Sequence, residues 1–149
     1  MTTLTLTDGK VANAKVDALV LASTAGKDGA VLAEDTDLPK NARAHLSSNL
    51  TATGATGKAD EVATFAGVPG VSAALVLVVG TGKADAKVPD AGERYRRAAG
   101  AGVRALAGKD SAVFALGGAE HARAVAEGVL LGAYAFQTFL GEGKSSSAK

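Results

Sequence analysis

The feature that most constrains this chain is an apolar run near its carboxyl end, residues 119–140, with the sequence AEHARAVAEGVLLGAYAFQTFL. The run predicts a helix with apolar side chains on several sides, and such a helix needs cover from more than one neighbour. Gly128 and Gly132 lie four residues apart, where they indicate close approach of another backbone. The run therefore favours a layered domain in which this helix is packed on more than one side.

A polar segment, GEGKSSSAK, fills residues 141–149 and has the composition of a linker. A helix that needs cover and is followed by a linker predicts that the chain is a piece of a longer protein. We therefore expect one domain over residues 1–140, and over residues 141–149 a linker or tail that leads toward a further domain.

Strand-like and helix-like segments alternate along the chain, most clearly in its second half. The strongest strand is Ala73–Val79 (AALVLVV), which we expect near the centre of the sheet. A D-x-x-E capping box at Asp90 predicts the start of a helix that ends near Gly108. The remaining predictions are strands at Thr3–Thr7, Val16–Ala22, Glu61–Ala66 and Ser111–Leu116, a weak helix at Leu38–Leu50, and a polar loop at Ser23–Asp37. This order predicts an α/β layer fold with a mixed, largely parallel sheet.

Composition and charge exclude several classes of protein. The chain has no cysteine, which excludes disulfides, thiolate metal sites and thiol catalysis. Its 16 basic and 15 acidic residues give a net charge of +1, so the overall charge does not favour nucleic acid or a membrane surface as partner. The amino end has no signal-peptide pattern, and no uncharged apolar run is long enough to span a bilayer. We therefore expect a cytoplasmic protein.

Phosphate-binding motifs are incomplete. The turn Gly80-Thr81-Gly82-Lys83 follows the strongest strand, and Gly117-Gly118 follows another, which are the places where α/β folds bind ligands. A P-loop, however, needs Ser or Thr after its lysine, and Ala84 stands there instead. The pattern therefore favours glycines that serve turn geometry and close packing.

The sequence also gives little indication of a metal site or of a catalytic nucleophile. His45 and His121 are the two histidines, and neither has a second histidine at the spacing of metal ligands. An acidic cluster has the composition of a solvated loop: Glu34, Asp35 and Asp37. No G-x-S-x-G motif is present. We predict no catalytic residue and no metal ligand in this chain.

A helix in the second half carries four arginines. Two interpretations remain open for them: a solvated face whose stems cover apolar surface, which the pattern favours, and a patch for an anion or a partner. The four residues are Arg94, Arg96, Arg97 and Arg104.

The segment Ala124–Phe136 (AVAEGVLLGAYAF) resembles the end of the amino-terminal domain of the M17 leucyl aminopeptidases, also called cytosol aminopeptidases. That family carries a Glu-Gly pair, an apolar run and Gly-x-Tyr-x-Phe. Here these stand as Glu127, Gly128, Gly132, Tyr134 and Phe136. Other segments agree in order: Asp17–Val20, Val78–Lys83 and Glu93–Leu106. The resemblance extends from Leu4 to about Leu140, although Phe139-Leu140 replaces the Tyr-Lys pair that often closes the helix.

The resemblance implies a parent enzyme that uses zinc or manganese to remove amino-terminal residues from peptides. The family's metal site lies in a downstream catalytic domain with an N-T-D-A-E-G-R motif, which this chain does not contain. The chain itself is thus expected to be a non-catalytic domain without a cofactor. Its expected partners are its own catalytic domain and the neighbouring subunits of a homo-hexamer.

The family's amino-terminal domain is similar in fold to macro domains, which implies a three-layer α/β/α sandwich. Macro domains bind ADP-ribose through an early aspartate and glycine-rich loops. Asp17, Gly80, Thr81 and Gly82 stand at comparable places and are the candidate ligand-binding residues. Two alternatives therefore stay open beside the accessory domain: a stand-alone nucleotide or ADP-ribose module, and a nucleic-acid contact domain, which the net charge disfavours.

Overall fold

The computed structural model describes residues 11–33, 38–83, 91–106, 109, 111–116 and 121–140, without the side chains of residues 11, 91 and 134–140. Within these ranges the chain forms strands and α-helices in the following order: β1 (Ala18–Gly26), β2 (Gly29–Leu32), α1 (Lys40–Ala52), β3 (Val62–Ala66), β4 (Leu75–Gly80), α2 (Ala91–Ala105), β5 (Ala112–Ala115) and α3 (Ala122–Leu140). None of the helices in the described ranges is long and apolar enough to cross a membrane.

The sheet is organised around β1, which pairs with three other strands. β4 runs parallel to it from Ala18 beside Leu75 to Ser23 beside Gly80, and β5 runs parallel along its first half. β2 returns antiparallel along the second half of β1, and β3 is antiparallel to β4. The order is β2-β1-β4-β3, with β5 also on β1. The sheet is therefore mixed, and β4 is an inner strand.

Side chains of β1 point alternately into two separate cores. Ala18, Val20 and Ala22 pack with α2 and α3, whereas Leu19 and Leu21 pack with α1. All five are almost fully buried, as the continuous apolar run predicts for a strand covered on both faces. Helices thus cover both faces of the sheet, and the α/β/α sandwich is confirmed.

The layer on one face is α1, which follows Pro39 and ends at Thr53. Its weak apolar pattern is sufficient because Ala42, Leu46 and Leu50 fall on one side and are buried. Gly54, at φ +73°, then turns the chain back toward the sheet.

The layer on the other face is the pair α2 and α3. Small and apolar residues recur at helical spacing along α2 and just beyond its end. Tyr95 is half-buried, and the others are buried: Ala98, Ala99, Gly102, Val103 and Leu106. A Cβ on Gly102 would lie 3.1 Å from Val20 of β1 and 3.2 Å from Phe114 of β5, so glycine lets α2 lie close to the sheet.

One secondary-structure prediction is wrong. The segment Ser23–Asp37 was predicted as a loop, but β1 continues to Gly26 and β2 forms a hairpin with it. The polar and glycine residues of this segment have weak strand propensity, so the sequence does not indicate a hairpin. Pairing within the folded sheet overrides that weak propensity. The other predicted strands and helices within the described residues are present, with ends shifted by at most four residues. The predictions for Thr3–Thr7, the Asp90 cap, Gly108, Gly117-Gly118 and the 34–37 acidic cluster lie outside the described residues.

Candidate functional site

The carboxyl edge of the sheet is the first candidate site, because the turn Gly80–Lys83 follows β4 there. Gly80 lies beside Ser23 of β1, so the ends of two parallel strands meet at this point. Open α/β sheets bind their ligands at this edge. Here, however, Ser23 and Thr81 are buried, with exposed fractions of 2% and 6%. The first half of the turn is therefore packed within the fold, whereas Gly82 is half-buried and Lys83 is exposed.

The backbone donors of this turn are bonded to the chain itself. Their N–H groups donate to carbonyl oxygens of three neighbouring segments: Gly80 to Glu61 (2.7 Å), Thr81 to Ser23 (2.8 Å) and Gly82 to Gly57 (2.9 Å). A phosphate-binding turn instead directs free N–H groups at its ligand. In this conformation the three residues offer no backbone donor to an anion.

Both glycines of the turn are required by their surroundings. A Cβ on Gly80 would lie 2.0 Å from the carbonyl oxygen of Lys58. Gly82 has φ +86°, a conformation that other residues rarely adopt. Arg94 of α2 donates from Nε and Nη2 to the carbonyl and hydroxyl oxygens of Thr81, at 3.3 and 3.1 Å. The turn is thus a junction between the sheet and α2.

Asp17, the other candidate for an ADP-ribose site, lies at the opposite edge of the sheet. It precedes β1, and its carbonyl accepts from the N–H of Leu75 at the start of β4. β1 and β4 are paired over six residues, which end at Gly80. Asp17 lies before the first of these pairs, so roughly 20 Å separates it from Gly80. Its backbone N–H donates to the Ser111 hydroxyl (3.1 Å), and its carboxylate accepts from the Ser111 N–H (3.3 Å). The structure therefore does not bring Asp17 and the glycine turn together.

The surface formed by α2 and α3 is the second candidate site. A Cβ on Gly128 would lie 2.1 Å from the Arg96 carbonyl oxygen, and one on Gly132 would lie 3.0 Å from the backbone of Gly100. The two helices are therefore in backbone contact at both glycines of the family motif. Tyr134 and Phe136 belong to the same helix, but their side chains lie outside the described part of the chain.

An ion-pair network holds this helix contact together. Arg96 donates to Glu127 of α3 at 3.0 Å and also pairs with Glu93 on its own helix. Arg123 donates to the second oxygen of Glu127 at 3.1 Å. Hydrogen bonds from Arg96, and then from Arg123, lower the pKa of Glu127, and the bond to Glu127 raises the pKa of Arg96. Glu127 therefore links α3 to α2 directly beside Gly128, where the backbones of the two helices meet.

The arginines of α2 do not act as one cationic patch. Arg94 binds Thr81, Arg96 binds two glutamates, and Arg97 lies 3.3 Å from the carboxylate of Asp60. Arg104 is exposed near the end of the helix. Three of the four arginines are thus bonded within the domain, which fits an anion site less well than the favoured interpretation of a solvated face whose stems cover apolar surface.

A shallow groove of about 270 Å³ runs along the α2–α3 contact. Its floor is formed by the three glycines of the contact, and its rim is charged except for Leu131. Leu131 is 62% exposed and Leu130 is 48% exposed. α3 therefore presents two exposed leucines that are adjacent in sequence, and one of them, Leu131, lines the groove.

The two histidines lie on different helices or helix ends of the described chain. His45 is half-buried on α1, and the ring of His121 lies 4.7 Å from that of Tyr95. Among the described residues, no three His, Cys, Asp or Glu side chains are grouped in a way that could hold a metal ion.

Residues 18–142 match the model of the amino-terminal domain of the cytosol aminopeptidase family. The chain belongs to this family. A "probable cytosol aminopeptidase" of Streptomyces griseus is 42% identical over 95% of the chain, and one of Micrococcus luteus is 42% identical over 89%. The chain spans 28% and 26% of the lengths of these relatives.

Solved structures show the same fold. The bottromycin maturation enzyme BotP is 25% identical, with a TM-score of 0.50, and the match covers 78% of this chain and 23% of that one. Its structure in complex with Mn matches equally well in fold, at 24% identity. This chain thus shares its arrangement of sheet and helices with part of a longer chain.

Sequence reasoning missed the residues that organise both candidate sites. Glu61 was predicted only as the first residue of a strand, yet its side chain and carbonyl bind two separate loops. Arg96 was one of four similar arginines, and nothing in its spacing marks it as the partner of Glu127. The edge at which Asp17 lies could have been found, because a residue before one parallel strand and a turn after another must lie at opposite ends.

Proposed function

We propose that this chain is the non-catalytic amino-terminal domain of a longer, metal-dependent leucyl aminopeptidase, and that it supports packing on the catalytic domain and assembly of a hexamer in the cytoplasm. Family membership and the length of the relatives support this proposal. The family's activity, removal of amino-terminal residues from peptides, would belong to the remainder of the longer protein, which would also hold the zinc or manganese.

The observation that carries the docking role is the outer face of α3. Leucine at 62% exposure is unfavourable on a free surface and favourable at a contact, since burying it stabilises by about 1.5–3 kcal/mol. Leu131 lines the groove between α2 and α3, and Leu130 precedes it in the helix, so both exposed leucines are available to a further element. The occupant we propose for this face is the remainder of the same longer protein or its neighbouring subunit.

The glycine turn gives less support to an ADP-ribose or nucleotide module. Its N–H groups are already bonded within the chain, and Asp17 lies at the far edge of the sheet. A nucleic-acid role is disfavoured as well, because three of the four arginines of α2 are held by partners within the domain. We therefore keep the accessory domain as the single proposed function.

Two measurements test the proposal. The purified 149-residue chain, assayed on leucine p-nitroanilide with added Zn²⁺ or Mn²⁺, should show no turnover, and turnover would contradict a non-catalytic role. The reading frame downstream of residue 149 should continue into a catalytic domain with metal ligands, and a stop codon followed by no such domain would contradict the assignment.

The docking face is tested in the full-length protein with Leu131→Glu. Placing a charge at a buried contact should disrupt assembly, so sedimentation velocity should show species smaller than a hexamer, with reduced peptidase activity. Val31→Glu on β2 is the matched control, because Val31 is 51% exposed but lies on another surface. A Leu131→Glu protein that assembles like wild type would refute this face as the contact.

A further inference from the structure

A short segment crosses the carboxyl edge of the sheet, where a ligand would be expected to enter. This segment, residues Ala55–Lys58, is here called the strap. The carbonyl of Ala55 accepts from the N–H of Ala30 in β2 (2.9 Å), and that of Gly57 accepts from the N–H of Gly82 (2.9 Å). The strap thus reaches from the β1–β2 hairpin to the turn after β4.

The strap lies against the strand ends without space between them. A Cβ on Gly57, which has φ +78°, would lie 2.3 Å from the carbonyl oxygen of Thr24 on β1. On the other side, the Lys58 carbonyl oxygen lies 2.0 Å from the Cβ position of Gly80. Gly57 is buried although its neighbours Thr56 and Lys58 are exposed. The gap between the ends of β1 and β4 is therefore filled by backbone.

One carboxylate organises the strap. Glu61 Oε1 accepts from the N–H groups of Thr56 (2.9 Å) and Gly57 (2.8 Å), and Oε2 accepts from the Thr56 hydroxyl (2.9 Å). Two successive N–H groups and a hydroxyl around one carboxylate form a small anion-binding nest. Glu61 is the internal anion of this nest, and its own carbonyl accepts from Gly80.

We propose that the strap and Glu61 form a self-closing device: the strap shuts the carboxyl edge of β1 and β4 against anionic ligands, and the Glu61 carboxylate is the latch that keeps it shut. In the closed strap, the Gly57 carbonyl accepts from the Gly82 N–H, which a phosphate would need. The Glu61 carbonyl accepts from the Gly80 N–H. The inference goes beyond the proposed function and holds whether or not the chain belongs to an aminopeptidase assembly.

The charged groups near the latch are few. Lys58 lies on the strap, and Asp60 precedes Glu61 but pairs with Arg97 of α2; β1, β2 and β4 carry no titratable side chain. Burial alone would raise the pKa of Glu61, but the hydrogen bonds from Gly57 and Thr56, together with the charge of Lys58, lower it overall. The ionised form of the latch is thus the form that the strap stabilises.

The test is residue-resolved amide hydrogen exchange on the whole 149-residue chain, comparing wild type with Glu61→Gln. The glutamine keeps the size of the side chain but loses its charge and one acceptor oxygen. The N–H groups of Gly57 and Gly82 should exchange at least about tenfold faster, as expected when a hydrogen bond to a charged group is lost. Exchange at Val20 and Val78, in the middle of the sheet, should be unchanged.

Asp60→Asn is the matched control, because its carboxylate is adjacent in sequence but binds α2 instead of the strap. Equal exchange at Gly57 and Gly82 in wild type and Glu61→Gln would overturn the latch, as would the same acceleration in the control or throughout the sheet. If Glu61→Gln does not fold, Thr56→Val removes the hydroxyl that donates to Glu61 and accepts from the Lys58 N–H, and it should give a smaller acceleration at the same two glycines.

The closed edge is tested separately with ADP-ribose as probe. Addition of millimolar ADP-ribose to wild type should leave the amide resonances of Gly80, Thr81 and Gly82 unshifted. Saturable shifts at these three residues in wild type would overturn the proposal that the strap shuts this edge.

Discussion

Replacing Gly128 with alanine tests most directly how the two outer helices are held together. The added Cβ would lie 2.1 Å from the Arg96 carbonyl oxygen and 2.9 Å from the Cβ of Ala99. Non-bonded heavy atoms rest at about 3.5–4.0 Å, so the first distance is more than 1 Å too short. Both contacted atoms belong to the framework of α2, so α3 must move away.

The size of the effect follows from two opposing terms. Overpacking of a well-packed interface costs about 1–3 kcal/mol, while alanine is better than glycine inside a helix by about 1 kcal/mol. Separation of the helices would also strain the Arg96–Glu127 bond at 3.0 Å. We expect a net loss of about 1–2 kcal/mol in the free energy of unfolding.

The assay is urea unfolding followed by circular dichroism at 222 nm, with Gly100→Ala as the matched control. Gly100 lies in the same helix contact, but a Cβ there would meet only the flexible end of Arg104 at 3.3 Å and the Gly128 carbonyl at 3.5 Å. The control should therefore be as stable as wild type or slightly more stable. Equal stability of Gly128→Ala and Gly100→Ala would refute the close-contact reasoning.

Three further substitutions probe the ion-pair network, the core and the surface. Glu127→Gln should lower stability at neutral pH, less so in 1 M salt than in 0.1 M salt, because screening weakens partly exposed pairs. Folding lowers the pKa of Glu127, so its contribution to the free energy of unfolding is present above the ordinary value of about 4.3 and is lost as pH falls through the lowered value. Wild type should therefore lose stability in that pH window, and Glu127→Gln should not. Leu46→Ala, at a residue with 0% exposure, should cost about 2–5 kcal/mol in urea, whereas Leu131→Ala should cost under about 0.5 kcal/mol.

The core strands and the α2 face could be predicted because burial leaves a direct mark on the sequence. The run around Val76 and Val79 is apolar without interruption, and it forms the inner strand β4. In α2, small and apolar residues recur at helical spacing and are buried as expected. Such patterns depend on neighbours along the chain, so a single sequence is sufficient to find them.

The hairpin and the latch could not be predicted because they depend on contacts across the fold. Ser23 reads as polar and loop-like, but it is buried because the Thr81 N–H and hydroxyl donate to its carbonyl at 2.8 Å. Glu61 reads as an ordinary charged residue at a strand end, and its role comes from a loop four residues earlier folding back over β4. A helical or strand period carries no information about hydrogen bonds of individual side chains and turns.

The triple pairing of β1 has a consequence for how the protein is made. Its strand neighbours β4 and β5 follow far along the chain, and the contact between Asp17 and Ser111 spans 94 residues. Closing such long loops lowers the entropy of the chain before a stabilising contact has formed. This entropy loss slows folding. On the ribosome the segment ALVLA therefore emerges as an apolar strand whose parallel partners are not yet synthesised, and its apolar side chains stay exposed until those partners follow.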